Sequence, residues 1–163
     1  MSIAADVVAE LTRRHLSIAV AESLTGGLLV AELISVPGAS AVVRGGVVAY
    51  DTQLKHTILG VDASLLAAHG AVHPDVAGAM AIGVRRVCAV EGEPASIGLS
   101  TTGVAGPDPQ DGQPVGTVFV GISTDEGLEV LDLILDGDRQ AIRDAVVSES
   151  LSGLLKILAR GQS

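Results

Sequence analysis

Aromatic and basic residues are scarce in this sequence, and their scarcity excludes several classes of protein. The 163 residues include two aromatic residues, Tyr50 and Phe119, and ten Lys and Arg against nineteen Asp and Glu, giving a net charge of −9. Nucleic-acid binding needs cations to neutralise phosphates, and single strands also need aromatic rings for stacking. We therefore expect no nucleic-acid partner, and any anionic ligand must be held locally by a helix N-terminus and a few arginines.

Cysteine and long apolar runs are also rare. The single cysteine, Cys88, cannot form an internal disulfide, and we expect it to lie in an apolar helix and to be part of the hydrophobic core rather than a reactive thiol. Although the mean hydropathy is +0.51, polar residues, glycine or proline interrupt every apolar run before about 18 residues. The first ten residues lack the basic and apolar regions of a secretory signal. The sequence therefore predicts a cytoplasmic protein with no membrane-spanning helix.

The spacing of apolar residues predicts alternating helices and strands. Helices are predicted over residues 3–15, from the turn at 22–27 to about 35, over 52–59 and 63–69, from 73 to about 90, and from about 138 onward. Strands are predicted over residues 17–21, 42–50, 95–100, 117–123 and 128–135, the last two forming a hairpin. This order, without repeats or linkers, predicts one α/β domain: a three-layer α/β/α sandwich with a mixed, mostly parallel sheet of about five strands.

Two glycine-rich loops follow predicted strands. In the turn Thr25-Gly26-Gly27, small residues, free amides and the dipole of the following helix suit an anion, although such turns are more often purely structural. The second glycine-rich loop includes residues 101–108, which follow the strand predicted over 95–100. Loops at the carboxyl ends of strands form the crevice in which open α/β sheets bind ligands, so we expect the site there.

Only two of the ten basic residues are lysines, Lys55 and Lys156. Lys156 falls on the polar side of the last predicted helix, whereas Lys55 follows a β-rich run in a region that also contains Ser40 and Arg44. To act as a base near pH 7, Lys55 must lower its pKa by about three, at a cost of about 4 kcal/mol, through desolvation or a nearby cation such as Arg44. The alternative is an ordinary surface lysine on a short helix.

The histidines indicate no metal site. His69 and His73 are four residues apart, but a glycine-containing break separates them, so they do not form a helical ligand pair. There is no Gly-x-Ser-x-Gly motif and no Ser/His/Asp order typical of a hydrolase triad. We expect neither a metal nor a cofactor.

A series of short motifs spans nearly the whole chain. The motifs are residues 21–27 (Ala-Glu-Ser-Leu-Thr-Gly-Gly), 37–40 (Pro-Gly-Ala-Ser), 44–50 (Arg-Gly-Gly-Val-Val-Ala-Tyr), Lys55, 59–61 (Leu-Gly-Val), 69–72 (His-Gly-Ala-Val), 102–107 (Thr-Gly-Val-Ala-Gly-Pro) and 114–118 (Pro-Val-Gly-Thr-Val). In this order they resemble the CinA C-terminal domain family. The resemblance implies an α/β/α fold and hydrolysis of nicotinamide mononucleotide to nicotinic acid mononucleotide and ammonia, by a metal-free mechanism that uses a serine and a lysine.

The resemblance also implies roles for individual residues. Ser40 and Lys55 match the family's serine and lysine and are expected to be nucleophile and base. Ser23 matches the serine of the first motif and is the alternative nucleophile or a proton relay. Arg139 matches an arginine expected to meet the substrate phosphate, a task suited to its bidentate donors. The full set of expected substrate-binding residues is Thr25, Gly26, Gly27, Arg44, Tyr50, Thr102, Gly103 and Arg139.

The chain departs from the family pattern in the loop at 108–116, which lacks a lysine and so presents one cation fewer to a substrate. The resemblance further implies that the pyrophosphatase activity of the longer members' additional N-terminal domain is absent. A second hypothesis is a catalytically silent module of the same fold that binds a nucleotide or a partner. Self-association as a two-fold dimer is the default expectation for assembly.

Overall fold

The computed structural model of the protein describes residues 1–161, which form helices on both sides of one sheet. The helices are α1 (Ile3–Arg14), α2 (Leu28–Ile34), α3 (Thr52–Thr57), α4 (Ala63–His69), α5 (Pro74–Val87) and α6 (Arg139–Arg160). The strands are β1 (Ile18–Glu22), β2 (Val43–Val48), β3 (Ile97–Gly103), β4 (Thr117–Thr124) and β5 (Gly127–Ile134), and a 3₁₀ turn at Ala39–Ala41 precedes β2.

Side chains and backbone at the helix ends explain where several helices begin and end. Ser2 and Asp138 accept hydrogen bonds from amides in the first turns of α1 and α6, at 3.1 and 2.8 Å. Pro74 occupies the first turn of α5, where its missing N–H has no helical partner to lose. His15 ends α1 in the left-handed conformation, with a φ of 56°. Local chemistry therefore sets these boundaries close to their predicted positions.

The five strands are arranged in the order β2-β1-β3-β4-β5. Strand β1 pairs in parallel with β2 and β3, whereas β4 pairs antiparallel with both β3 and β5. Four of the five strands therefore run in one direction, which confirms the predicted mixed and mostly parallel sheet. Because the chain moves from β1 to β2 on one side and then crosses to β3 on the other, a crevice opens at the carboxyl ends of β1 and β3.

Helices cover both faces of the sheet and confirm the three-layer architecture. Helices α1, α2 and α6 share one apolar core with the sheet, and α5 forms a second core on the opposite face with the segment that includes α4. The first core includes Leu11, Leu29 and Leu154, and the second includes Leu66 and Met80. No helix among residues 1–161 combines the length and apolarity needed to cross a membrane.

Two predicted boundaries are wrong. Thr101 and Thr102 were assigned to a loop, but β3 continues to Gly103 because these residues pair with β4, and Thr101 also pairs with β1. The helix predicted to run to about residue 90 ends at Val87, and Cys88 forms its C-cap, where it is half-buried and packs against the second core as expected. Burial raises the pKa of the Cys88 thiol.

Candidate active site

A cleft of about 450 Å³ lies at the carboxyl ends of β1 and β3, at the crossover point of the sheet. Its walls come from the turn after β1, the segment between α4 and α5, the end of β3 with the loop that follows, and the start of α6. Its lining residues are Ser23, Leu24, Tyr50, Ala71, Val72, residues 102–110 and Arg139. The position predicted from the two glycine-rich loops is therefore correct for the second loop and for the serine that precedes the first.

Lys55 lies beneath this cleft, in the middle of α3, and only 1% of its surface is exposed. Asp51 caps α3 by accepting a hydrogen bond from the Gln53 amide at 2.8 Å, which begins the helix immediately after β2. The Lys55 Nζ atom is 2.9 Å from Ser23 Oγ, 2.8 Å from the Ala49 carbonyl oxygen and 3.2 Å from the Tyr50 carbonyl oxygen. The helix thus carries an amine into contact with a hydroxyl that is 32 residues away in the sequence.

Burial lowers the pKa of Lys55 from 10.5 to about 8, because the charged amine loses water that two carbonyls and a hydroxyl replace only in part. The carboxylates of Asp51 and Asp111 oppose this effect by favouring the charged amine. With a pKa near 8, about a tenth of the amine is uncharged at pH 7. Burial therefore makes the neutral amine accessible near neutral pH, and the alternative of a solvated surface lysine is wrong.

The three partners of the Lys55 amine also orient it. The carbonyl oxygens of Ala49 and Tyr50 can only accept hydrogen bonds, so the two N–H groups of the neutral amine donate to them. The charged amine also donates to Ser23 Oγ at 2.9 Å, and once the amine is neutral its lone pair is left for the Ser23 hydroxyl. The neutral amine is thus arranged to accept the Ser23 proton, and the resulting ammonium keeps all three partners.

Ser23 lies in the turn that follows β1 and has 8% of its surface exposed. Its amide donates to the Thr101 carbonyl oxygen at 3.0 Å, which extends the β1–β3 pairing by one residue. The Thr25 and Thr101 hydroxyl oxygens, both fully buried, lie 2.8 Å apart. The serine therefore projects from a backbone that is tied to the neighbouring strand.

The predicted anion site at the turn Thr25-Gly26-Gly27 is wrong. The amides of Leu29 and Val30, at the start of α2, donate to the carboxylate of Glu22 at 2.8 and 3.1 Å. A residue of the chain itself thus occupies the position that an anionic ligand would take, and none of the three turn residues lines the cleft. The two glycines have φ values of 58° and 106°, so the turn needs them for its backbone shape.

The pairing of Ser40 with Lys55 is also wrong. Ser40 is exposed in the 3₁₀ turn before β2, whereas Lys55 follows β2, so the whole strand separates them. Arg44, near the start of the same strand, donates to the Glu93 carbonyl oxygen at 2.9 Å and borders a surface depression together with Ser40. Arg44 therefore lies outside the cleft, and desolvation rather than this cation lowers the pKa of Lys55. Ser40 and Arg44 are therefore close to Lys55 along the chain but not in the folded structure.

The other predicted substrate-binding residues do line the cleft. Thr102, at the end of β3, is buried and donates from its hydroxyl to the Ala71 carbonyl oxygen at 2.7 Å, and Gly103 follows it. Arg139 starts α6 and donates to the Tyr50 hydroxyl at 3.1 Å and to the Gly106 carbonyl oxygen at 2.5 Å. The rim of the cleft thus carries an arginine held in place by two partners from different segments.

Sequence reasoning missed Asp111, which ties two walls of the cleft together. Its Oδ2 atom accepts from the Ala71 amide at 2.9 Å, and a Cβ on Gly70 would lie 2.4 Å from its carboxyl carbon. The contact spans 40 residues, so no spacing rule could have found it. His69 and His73, considered above as a metal pair, instead stack with ring centroids 4.3 Å apart on either side of this segment.

Comparison with known proteins connects this geometry to a family. The sequence profile of the CinA C-terminal domain matches residues 1–158. A CinA-like protein from Frankia casuarinae is 48% identical over 94% of this chain, and a competence-damage inducible protein from a Geobacillus species is 51% identical over 91%. The chain spans about a third of the length of these relatives, 34% and 35%.

Solved structures agree in fold. A CinA superfamily protein from Klebsiella pneumoniae is 30% identical with a TM-score of 0.91, covering 97% of this chain and 96% of that one. A competence/damage inducible protein from Agrobacterium tumefaciens is 32% identical with a TM-score of 0.86, covering 94% and 92%. The family profile, the identity of the relatives and the near-complete structural overlap agree, and the chain belongs to the CinA C-terminal domain family.

Proposed function

We propose that the protein hydrolyses the carboxamide of nicotinamide mononucleotide, with Ser23 as nucleophile and Lys55 as base. The observation that carries this proposal is the 2.9 Å contact between the Ser23 hydroxyl and the Lys55 amine, together with the pKa of about 8 that burial imposes on Lys55. A serine hydroxyl is a weak nucleophile until a neighbouring base accepts its proton, and this amine can do so near pH 7.

The reaction follows from this pair in two halves. Lys55 takes the Ser23 proton as Oγ bonds to the carboxamide carbon, and the carbonyl π electrons move to the oxygen. The tetrahedral intermediate collapses as the C–N bond breaks, and the Lys55 ammonium returns the proton to the nitrogen, which leaves as ammonia. Water then attacks the acyl-enzyme, gives a proton to Lys55 and releases the carboxylic acid, after which Ser23 recovers its proton.

The remaining walls of the cleft suit the other parts of this substrate. A volume of about 450 Å³ falls within the range of small-molecule sites. Arg139 at the rim supplies a fork of donors suited to a phosphate, and Tyr50 holds that guanidinium through its hydroxyl at 3.1 Å. We propose that the carboxamide enters toward Ser23 and the phosphate stays at Arg139.

An ammonia-release assay with nicotinamide mononucleotide tests the proposal. We expect Ser23→Ala and Lys55→Met to lose activity by at least about a hundredfold, the lower range for removing an acid–base or nucleophilic group. Ser40→Ala is the matched control, since it deletes the other candidate hydroxyl on the far side of β2, and it should retain wild-type activity. Full activity in Lys55→Met would overturn the mechanism.

The same assay separates this proposal from a catalytically silent module. Such a module would gain thermal stability with nicotinamide mononucleotide but release no ammonia. Running the assay with a metal chelator tests the prediction of a metal-free reaction. Cytoplasmic location and assembly as a dimer stay predictions of the sequence.

A further inference from the structure

The turn that carries Ser23 is held by an arginine that the proposed mechanism does not use. Arg143, in the second turn of α6, donates from Nε to the Leu24 carbonyl oxygen at 2.8 Å and from Nη2 to the Thr25 carbonyl oxygen at 3.4 Å. Its Nη1 atom donates to the Gln140 side chain on the same helix at 3.0 Å. The half-buried guanidinium is therefore fixed, and both its backbone acceptors directly follow the nucleophile.

Two backbone amides in this turn have no hydrogen-bond partner among residues 1–161. The Ser23 amide donates to Thr101, and the Gly26 amide donates to the Ser23 carbonyl at 3.1 Å. Leu24 and Thr25 are buried, with 4% and 0% of their surfaces exposed, yet neither of their amides donates to another described residue. Buried amides are almost always paired, and of these two residues only Leu24 lines the cleft, so its amide is the one placed to donate to a ligand there.

The acceptors of the turn determine where these two amides point. In a trans peptide the N–H and C=O groups face opposite ways. The Gly26 amide holds the Ser23 carbonyl, and Arg143 holds the Leu24 carbonyl. The N–H groups of Leu24 and Thr25 therefore point away from those partners, and Leu24 itself lines the cleft beside Ser23.

We propose that Arg143 is a positioning residue that, by holding the Leu24 carbonyl, fixes the turn so that the Leu24 amide beside Ser23 is aimed at the oxygen of the reacting carbonyl. This inference rests on the proposed acyl transfer at Ser23. Negative charge develops on that oxygen when Ser23 attacks, and fixed backbone amides stabilise it more than the neutral carbonyl of the bound substrate. Without Arg143, the turn with its two left-handed glycines is free to move the Leu24 amide away from that oxygen.

Steady-state kinetics of Arg143→Gln with nicotinamide mononucleotide test this role. We expect kcat to fall by about ten- to a hundredfold, less than the loss for deleting an oxyanion donor outright, while KM changes by less than about threefold. The acidic limb of the pH profile of kcat/KM should keep its apparent pKa near 8, since Lys55 is unchanged in this variant. Arg86→Gln, which removes an exposed arginine from α5, is the control and should behave as wild type.

A second readout does not depend on the identity of the substrate. Phenylmethylsulfonyl fluoride modifies activated serines through a transition state with charge on a sulfonyl oxygen, and mass spectrometry measures its rate of attachment to Ser23. We expect Arg143→Gln to slow labelling by at least about tenfold, and millimolar guanidinium to restore part of the rate. Labelling of Arg143→Gln at the wild-type rate would overturn the inference.

The two readouts keep the failures of the two proposals apart. A wild-type protein whose Ser23 is labelled but which releases no ammonia from nicotinamide mononucleotide contradicts the proposed substrate and leaves the labelling test of Arg143 in force. If Arg143→Gln fails to fold, Arg143→Lys keeps a cation with a single donor group, and the same loss of labelling rate is expected. An Arg143→Lys variant that folds and labels at the wild-type rate would equally overturn the inference.

Discussion

Replacing Lys55 with methionine should change how the stability of the protein depends on pH. Methionine keeps the length of the buried side chain but removes the amine. In the folded protein burial lowers the pKa of Lys55 from 10.5 to about 8, and in the unfolded chain the ordinary value returns. This difference corresponds to about 3 kcal/mol that the charged amine costs the folded state.

The sign of the effect follows from which state holds more protons. Between pH 8 and pH 10.5 the unfolded chain keeps the Lys55 proton and the folded protein has lost it. The free energy of unfolding of the wild type should therefore rise with pH relative to Lys55→Met, by about 1.4 kcal/mol per pH unit in that window. Below pH 8 the charged amine lowers the stability of the folded protein by the full amount, and above pH 10.5 this destabilisation is absent.

Urea denaturation at pH 7, 8, 9 and 10 measures this difference. The quantity of interest is the free energy of unfolding of wild type minus that of Lys55→Met at each pH, because other titrating groups cancel in the subtraction. Lys156→Met, which removes the exposed lysine of α6, is the matched control and should give a flat difference. A flat difference for Lys55→Met as well would refute the claim that desolvation controls this amine.

Three further predictions follow from the same contacts. The rate constant kcat/KM for ammonia release should rise with unit slope toward pH 8 and level off above it, because the pKa of Lys55 is about 8 and only its neutral form is a base; a pH-independent rate between 6 and 8 would contradict this role. Arg139→Gln should raise KM for nicotinamide mononucleotide by about tenfold or more while kcat changes less, since the guanidinium is proposed to bind the phosphate and not the reacting amide. The activity on the nucleoside, which lacks the phosphate, should then not depend on Arg139. Glu22→Leu should lower the free energy of unfolding by about 2 kcal/mol or more, because the amides of Leu29 and Val30 lose their buried acceptor. Urea denaturation measures this loss, and a midpoint equal to that of the wild type would show that water replaces the carboxylate.

The sequence predicted the architecture well because its signals are local. The 3.6-residue apolar spacing of α1, α5 and α6, and the turn at 124–127 between β4 and β5, depend on residues that are neighbours along the chain. The same is true of Lys55, which stood out as one of two lysines in a chain of few cations. Its placement after a β-rich run left a buried position and an ordinary surface position both open, and the structure places it in the interior.

What the sequence could not decide was which residues meet across the sheet. Ser40 is closer to Lys55 along the chain than Ser23 is, yet β2 separates Ser40 from the lysine, and the β1–β2 pairing brings Ser23 next to it. The glycine turn resembled an anion site until the fold placed Glu22 at the same helix end. The chain alone determined the helices and strands and singled out Lys55, because these depend on local spacing and composition. The tertiary structure decided that Ser23 and not Ser40 contacts Lys55, because strand order and register determine which distant side chains share a cleft.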